Sequence, residues 1–131
     1  MTAQLSSTTN KANLYDRDYY LWLKHTAQLI VELDPTRGTE AKKTRACLII
    51  QNDLGNKQSS LTTVVPFLTS KNYPFVVNVD PNDINNLDRE RGLHFSQIRA
   101  VDCSRIKSKL GRIEDSYWND IKEAISIQLH L

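Results

Sequence analysis

The spacing of hydrophobic positions along this chain changes period twice. Between Asn13 and Ile30, the residues Tyr15, Tyr19, Trp22, Leu23 and Ile30 mark one helical face, with Asn13 placed as a cap and Asp16 three residues on. After Leu33 the apolar runs shorten and fill with β-branched and aromatic residues. RACLIIQ (45–51), LTTVVPFLT (61–69), PFVVNV (74–79) and GLHFSQIRAV (92–101) read as strands, separated by clusters of Gly, Pro, Asn and Asp. Val31–Leu33 reads as a shorter strand, and CSRIKSKLG (103–111) as a short helix stopped by Gly111. The helical period then returns, with Trp118, Ile121, Ile125 and Leu129 along one side of a terminal amphipathic helix.

Several short strands followed by a helix predict a small α+β barrel, preceded here by an N-terminal helix. Helix and barrel compete over residues 26–33. We expect the helix to stop by His25 and the first strand to begin near Gln28.

Size and composition narrow the class. The chain has 131 residues, 40% hydrophobic and 24% charged, which suits one soluble domain with a real core. Residues 1–12 are polar and rich in Ser and Thr, a predicted disordered tail. The expected division is therefore a tail over 1–12, a helical extension over 13–27 and a globular domain over 28–131. No apolar run approaches the roughly 18 residues of a membrane span, and no stretch has the pattern of a signal peptide. Cys47 and Cys103 lie far apart without metal-ligand spacing, and the histidines are scattered. A cytoplasmic, reduced protein without a zinc site or membrane partner is expected. Cys47, in an apolar strand, reads as a small buried hydrophobe.

Net charge says less than its distribution. The total is only +2, yet residues 35–57 hold five Lys or Arg against Glu40 and Asp53, and 99–112 hold five against Asp102. Brought together by the fold, these segments would make one face for a polyanion. The first contains a loop with Arg37, Lys42, Lys43 and Arg45 between two strand-like runs. Its Pro-Thr-Arg-Gly step is a turn in which Gly38 can take a positive φ. Arg45 sits at the mouth of a strand, where its guanidinium would offer a planar fork of donors to phosphate oxygens. Thr69, with Ser70 beside it, ends another strand, and a loop folded over Thr69 would bring the two onto one phosphate.

Such a pair suits RNA cleavage without metal. RNA supplies its own nucleophile, the 2′-hydroxyl, and the protein must align the attack and stabilise the negative transition state. Arginine, with a pKa above roughly 12, is a poor general base. Spacing alone does not select Arg45 and Thr69, since an arginine and a threonine at strand ends occur in most domains. Other chemistries have less support. His94 on an alternating strand reads as structural, and Asp80 and Asp83 in VDPND form a turn before they form a cation site. The common Gly-rich phosphate loops are absent.

LDPTRGTEAKKTRACLIIQNDLGNK, TTVVPFLTS, YPFVV, SQIRAVDCSRI and KLGRI, in that order over about residues 31–131, resemble the MazF/PemK family of toxin endoribonucleases. The resemblance implies a homodimer of SH3-like barrels that cuts single-stranded RNA at short motifs without a cofactor. It also implies a cognate antitoxin protein as partner, with DNA reached only through that antitoxin. Carried over by position, the family's catalytic Arg and Thr fall on Arg45 and Thr69. Glu40 matches the acidic residue of its G-[ST]-E loop and Asp34 the Asp of its L-D-P strand end. Both have two readings, RNA contact and loop ordering.

Gln97 and Arg99 match the family's Q-I-R segment, where RNA contact competes with packing and dimer contacts. The expected RNA-binding set is therefore Arg37, Glu40, Lys42, Lys43, Ser70, Gln97 and Arg99, with Asp34 and Gly38 ordering the loop. Two departures stand out. Ala46 follows Arg45 where the family has Pro, which would stiffen the strand entry. The usual first-strand entry is replaced by LYDRDYYLWLKHTAQLI (14–30), which resembles the start of an unrelated helical family. These departures motivate a second reading, a disarmed barrel that binds RNA or sequesters an antitoxin without turnover.

Overall fold

The computed structural model describes residues 27–50 and 60–131. The expected tail and helix of residues 1–26, and Gln51 at the end of the predicted second strand, lie outside them. Strand β1 covers Ala27–Glu32, so the strand wins the contested segment and starts one residue before Gln28. Its alternation explains why. Leu29 and Val31 are fully buried in one core cluster, whereas Gln28 points to the opposite face and bonds to Asn85.

β2 (Thr44–Ile49), β3 (Leu61–Leu68), β4 (Val76–Val79), β5 (Arg91–His94), β6 (Arg99–Asp102) and β7 (Ile106–Arg112) follow, and α1 (Trp118–Leu129) ends the fold. The strands make one antiparallel sheet in the order β4-β5-β3-β2-β1-β7, with β6 paired to β3. Strand β3 serves three neighbours along its length. It pairs first with β6 (Leu61↔Asp102 to Val64↔Arg99), then with β2 (Val64↔Ile49 to Cys47↔Pro66), and at its end with β5 (Phe67↔Leu93, Leu68↔Gly92). Pro66, which has no N–H to donate, sits where β3 passes from β2 to β5.

Both faces of the sheet are buried. One carries Leu29, Val31, Leu33, Cys47, Ile49 and Val64; the other carries Leu48, Val65, Phe67, Leu93 and Phe95 beneath α1. Ile121 and Ala124 of α1 are fully sunk into this second core, with Trp118 and Ile125 partly so. Leu129, expected on the same stripe, is 53% exposed. A left-handed His130 (φ 60°) stops α1, with the Leu131 N–H bonded to the Ser126 carbonyl at 2.9 Å.

The sheet does not close by strand pairing between β4 and β7. Side chains and backbone of the β4–β5 connection cross that gap instead. Arg112 N–H donates to the Ile84 carbonyl at 3.2 Å, Asn86 Nδ2 to the Leu110 carbonyl at 2.8 Å, and Gln28 Nε2 to the Asn85 carbonyl at 2.8 Å. Asn82 shapes the connection, its Oδ1 accepting from the Ile84 and Asn85 N–H groups at 2.8 Å each.

Three sequence expectations are corrected. Residues 103–111 are not a helix; a short 3₁₀ turn (Cys103–Arg105) leads into β7. Pairing with β1 from Val31↔Ile106 to Ala27↔Arg112 satisfies this backbone better than an isolated helix would, and two register shifts disguise the strand's alternation. Gly111 is needed for close approach, since a Cβ there would stand 2.4 Å from the Ile84 carbonyl oxygen. The predicted strand 92–101 is split by a 3₁₀ turn at Phe95–Gln97, which buries Phe95 and sends β6 to the other end of β3. Pro74 and Phe75 fall in a turn closed by Val76 N–H on the Tyr73 carbonyl at 3.0 Å, so β4 begins at Val76.

Candidate active site

The two basic segments meet at the end of β1. Glu32 is paired with Thr44 on β2, Val31 is paired with Ile106 on β7, and Lys107 Nζ lies 3.7 Å from the Glu32 carboxylate. Between β1 and β2 runs the loop of residues 33–43, closed at its neck by Leu33 N–H on the Lys43 carbonyl at 2.8 Å.

Inside the loop, Glu40 Oε1 accepts from the Arg37 N–H at 2.6 Å, and Glu40 N–H donates to the Arg37 carbonyl at 3.0 Å. Asp34 Oδ1 accepts from the Thr36 hydroxyl at 3.0 Å, and the Asp34–Pro35 peptide is cis. Gly38 has a φ of +55°, as the turn demanded. Both acidic residues thus bond within the loop. Arg37, Lys42 and Lys43 are exposed and form no ion pair among the described residues.

Three side chains fasten this loop from behind. Gln97 accepts from the Ala41 N–H at 3.0 Å and donates to the Thr39 carbonyl at 3.3 Å. Arg99 Nη1 donates to the Leu33 carbonyl at 3.2 Å, and Arg105 Nη1 to the carbonyls of Glu32, at 3.3 Å, and Asp34. Gln97 and Arg99, expected to meet RNA, are therefore engaged with the loop's own backbone. Arg105 has no local sequence signal for this role, since its partners lie more than seventy residues away.

Arg45 is half-buried near the start of β2, paired with Val31, and its Nε donates to the Lys42 carbonyl at 3.0 Å. Its terminal nitrogens make no hydrogen bond among the described residues. Cys47, two residues on, pairs with Pro66, so Arg45 and Thr69 stand at the same end of the sheet. Thr69 is exposed just past β3, and its carbonyl accepts from His94 Nε2 at 2.6 Å. Asn78 fixes the same segment, its amide bonded to both the N–H and the carbonyl of Lys71 at 3.2 and 3.0 Å. The loop's hydrogen bonds run to Gln97, Arg99 and Arg105 rather than over Thr69. The Ser70 hydroxyl is buried without a hydrogen-bond partner among the described residues.

Electrostatics on this face are dominated by cations. Burial pushes the Cys47 thiol up to about 12, with the positive charges of Arg99 and Arg45 opposing the shift. Away from the loop, Arg91 donates to both Asp88 oxygens at 3.1 and 2.9 Å, and these bonds hold the Asp88 carboxyl below its usual range. Asp80 and Asp83 lie in the Asn82 turn, with Asp80 N–H on the Tyr117 hydroxyl at 3.2 Å.

Known proteins place this arrangement. The family model for PemK-like, MazF-like toxins of type II toxin-antitoxin systems matches residues 29–129. An endoribonuclease MazF of Staphylococcus saprophyticus is 33% identical over 106 residues, which cover 78% of this chain and 87% of that protein. Among solved structures, MazF from Deinococcus radiodurans superposes with a TM-score of 0.70 at 18% identity, covering 82% of this chain and 96% of that one. Mycobacterium tuberculosis toxin MazF-mt6 gives 0.69 at 21%, covering 80% and 97%. A mycobacterial endoribonuclease in complex with its cognate antitoxin gives 0.67 at 18%, covering 82% and 95%. The antiparallel sheet and its C-terminal helix are thus a known fold, and the chain belongs to the PemK-like, MazF-like toxins of type II toxin-antitoxin systems.

Proposed function

We propose that this chain is the endoribonuclease toxin of such a system, cleaving single-stranded RNA at short motifs by attack of the RNA's own 2′-hydroxyl. One observation carries the reading. Arg45 is rooted in a paired strand and held at Nε, which leaves its two terminal nitrogens to meet phosphate oxygens at the sheet end where Thr69 emerges. The 2′-oxygen attacks phosphorus as its proton passes to water, the P–O5′ bond breaks to leave a 2′,3′-cyclic phosphate, and the departing 5′-oxygen takes up a proton from water. Arg45 stabilises the charge that builds on the non-bridging oxygens, and the Thr69 hydroxyl donates to the same phosphate. Exposed Arg37, Lys42 and Lys43 attract the backbone on either side, while Glu40, Asp34 and Gly38 shape the loop that carries them.

The disarmed alternative gains nothing from the strand entry. Ala46 is paired with Ile30 and Arg45 with Val31, so the ladder fixes the backbone that proline would otherwise stiffen. In this reading the protein works in the cytoplasm as a homodimer of SH3-like barrels, and its cognate antitoxin covers the basic face. DNA enters only through that antitoxin. The test is to incubate the purified protein with a long single-stranded RNA in EDTA and map the new ends by primer extension. Discrete cuts that share a motif, lost in Arg45→Ala and Thr69→Ala, are the expected result. Intact RNA from folded wild-type protein, or undiminished cutting by both variants, overturns the assignment.

A further inference from the structure

Gln97 stands apart from the other polar side chains of this face because its carboxamide is used at both ends. Oε1 accepts from the Ala41 N–H at 3.0 Å and Nε2 donates to the Thr39 carbonyl at 3.3 Å, across more than fifty residues of chain. Its own backbone is firm. Gln97 closes a 3₁₀ turn in which Phe95 is fully buried and the Ile98 N–H bonds back to the Phe95 carbonyl at 3.3 Å. Arg99 and Arg105 hold the carbonyls of residues 32–34 at the loop's base, but among the described residues outside the loop only the Gln97 side chain bonds to its far side, next to the cations. On that side Ala41 is 8% exposed and packs into the core, so the grip and the packing act at one point.

We propose that Gln97 is a positioning residue, a latch that presents Arg37, Lys42 and Lys43 to RNA in one preset arrangement. The inference rests on the endoribonuclease reading above and assigns Gln97 a role through the loop rather than through contact with a base. These two bonds use one lone pair of Oε1 and one N–H of Nε2 and turn the carboxamide toward the loop backbone. Releasing it would let the loop sample other conformers, and apparent affinity falls by the fraction of time spent in the competent one. The backbone of Arg45 in β2 is held by its pairing with Val31, so the root of that side chain stays in place without the latch, and only its Nε bond to the Lys42 carbonyl reaches the loop.

Gln97→Met keeps the length and removes both hydrogen bonds; Gln97→Glu keeps the acceptor and removes the donor. In the full-length protein, amide exchange at Ala41 should quicken by about tenfold in Gln97→Met and less in Gln97→Glu, with β2 and β3 amides unchanged. On an RNA oligomer, KM should rise about five- to tenfold in Gln97→Met with kcat within about twofold and the cut motif unaltered. Three results overturn the latch: unchanged exchange at Ala41, a fall in kcat at constant KM, or a shifted motif, which would mean that Gln97 reads a base. A wild-type protein that leaves RNA intact overturns the enzymatic reading instead, and the exchange rates still report whether Gln97 holds the loop.

Discussion

Replacing Gly111 by Ala measures how the open side of the sheet is held. The added methyl carbon would meet the Ile84 carbonyl oxygen at 2.4 Å and the Asn85 carbonyl carbon and oxygen at 3.2 Å. These are backbone atoms in a connection fixed by Asn82 and Asn85, so no flexible side chain can swing clear. Overpacking of this kind costs about 1–3 kcal/mol. Pushing the connection away also breaks the bond from Arg112 N–H to Ile84, worth about 1 kcal/mol, and strands the Gln28 amide, which is 0% exposed, at about 1–3 kcal/mol more. The expected loss is about 3–7 kcal/mol, a large share of the roughly 5–15 kcal/mol that holds a domain of this size.

Urea unfolding followed by far-UV circular dichroism should place the Gly111→Ala midpoint about 2 M below the wild type. Gly38→Ala supplies the contrast. Nothing lies within 4 Å of a Cβ at Gly38, and the cost there is only the positive φ of +55°, about 1 kcal/mol. Had Gly111 merely stopped a helix, its replacement would cost the same small amount. A Gly111→Ala loss under about 1 kcal/mol would therefore refute both the close approach and the strand.

Other consequences are open to simple measurement. Arg45→Ala should slow RNA cleavage about 10²–10³-fold with an unchanged circular dichroism spectrum, since one donor to the transition-state charge is removed while the backbone pairing with Val31 remains. Joint replacement of Arg37 and Lys42 by Gln should lower the slope of log affinity against log salt by about 0.7 for each phosphate that is no longer neutralised; an unchanged slope would place RNA elsewhere. Cys47, tested in a Cys103→Ala background, should resist a thiol reagent in native protein and react once unfolded. Its folded pKa is raised from 9.0 to about 12, so the unfolded chain loses the thiol proton first. The stabilisation it contributes is complete below about pH 9 and is lost as pH climbs toward about 12. A flat stability profile over that range would contradict the burial of the thiol.

Sequence pattern revealed elements whose signal is local. Runs of β-branched and aromatic residues exposed β2 and β3, the three-to-four spacing exposed α1, and the turn chemistry of Gly38 anticipated its positive φ. β7 was hidden because two register shifts interrupt its alternation and exposed Lys107, Ser108 and Lys109 imitate a polar helix face. The break between β5 and β6 was hidden because Phe95 looks like any strand residue until its burial bends the chain. Within the candidate site, residue types pointed to Arg45 and Thr69 only once the family resemblance was added. The loop's fastening by Gln97, Arg99 and Arg105 could not be seen beforehand, since each bond joins residues far apart in sequence.

The place of β1 between β2 and β7 has a consequence for how the protein comes into being. β1 is made first among the seven strands, yet its second ladder, from Ala27↔Arg112 to Val31↔Ile106, waits for the last of them. The bonds from Gln97, Arg99 and Arg105 that steady the basic loop arrive equally late. A growing chain on the ribosome thus carries Arg45 and Thr69 through most of synthesis without a finished face to use them on. Long-range pairing of this sort also forms slowly. For a protein whose proposed target is RNA, the order of the strands delays its potency until the seventh strand has been made.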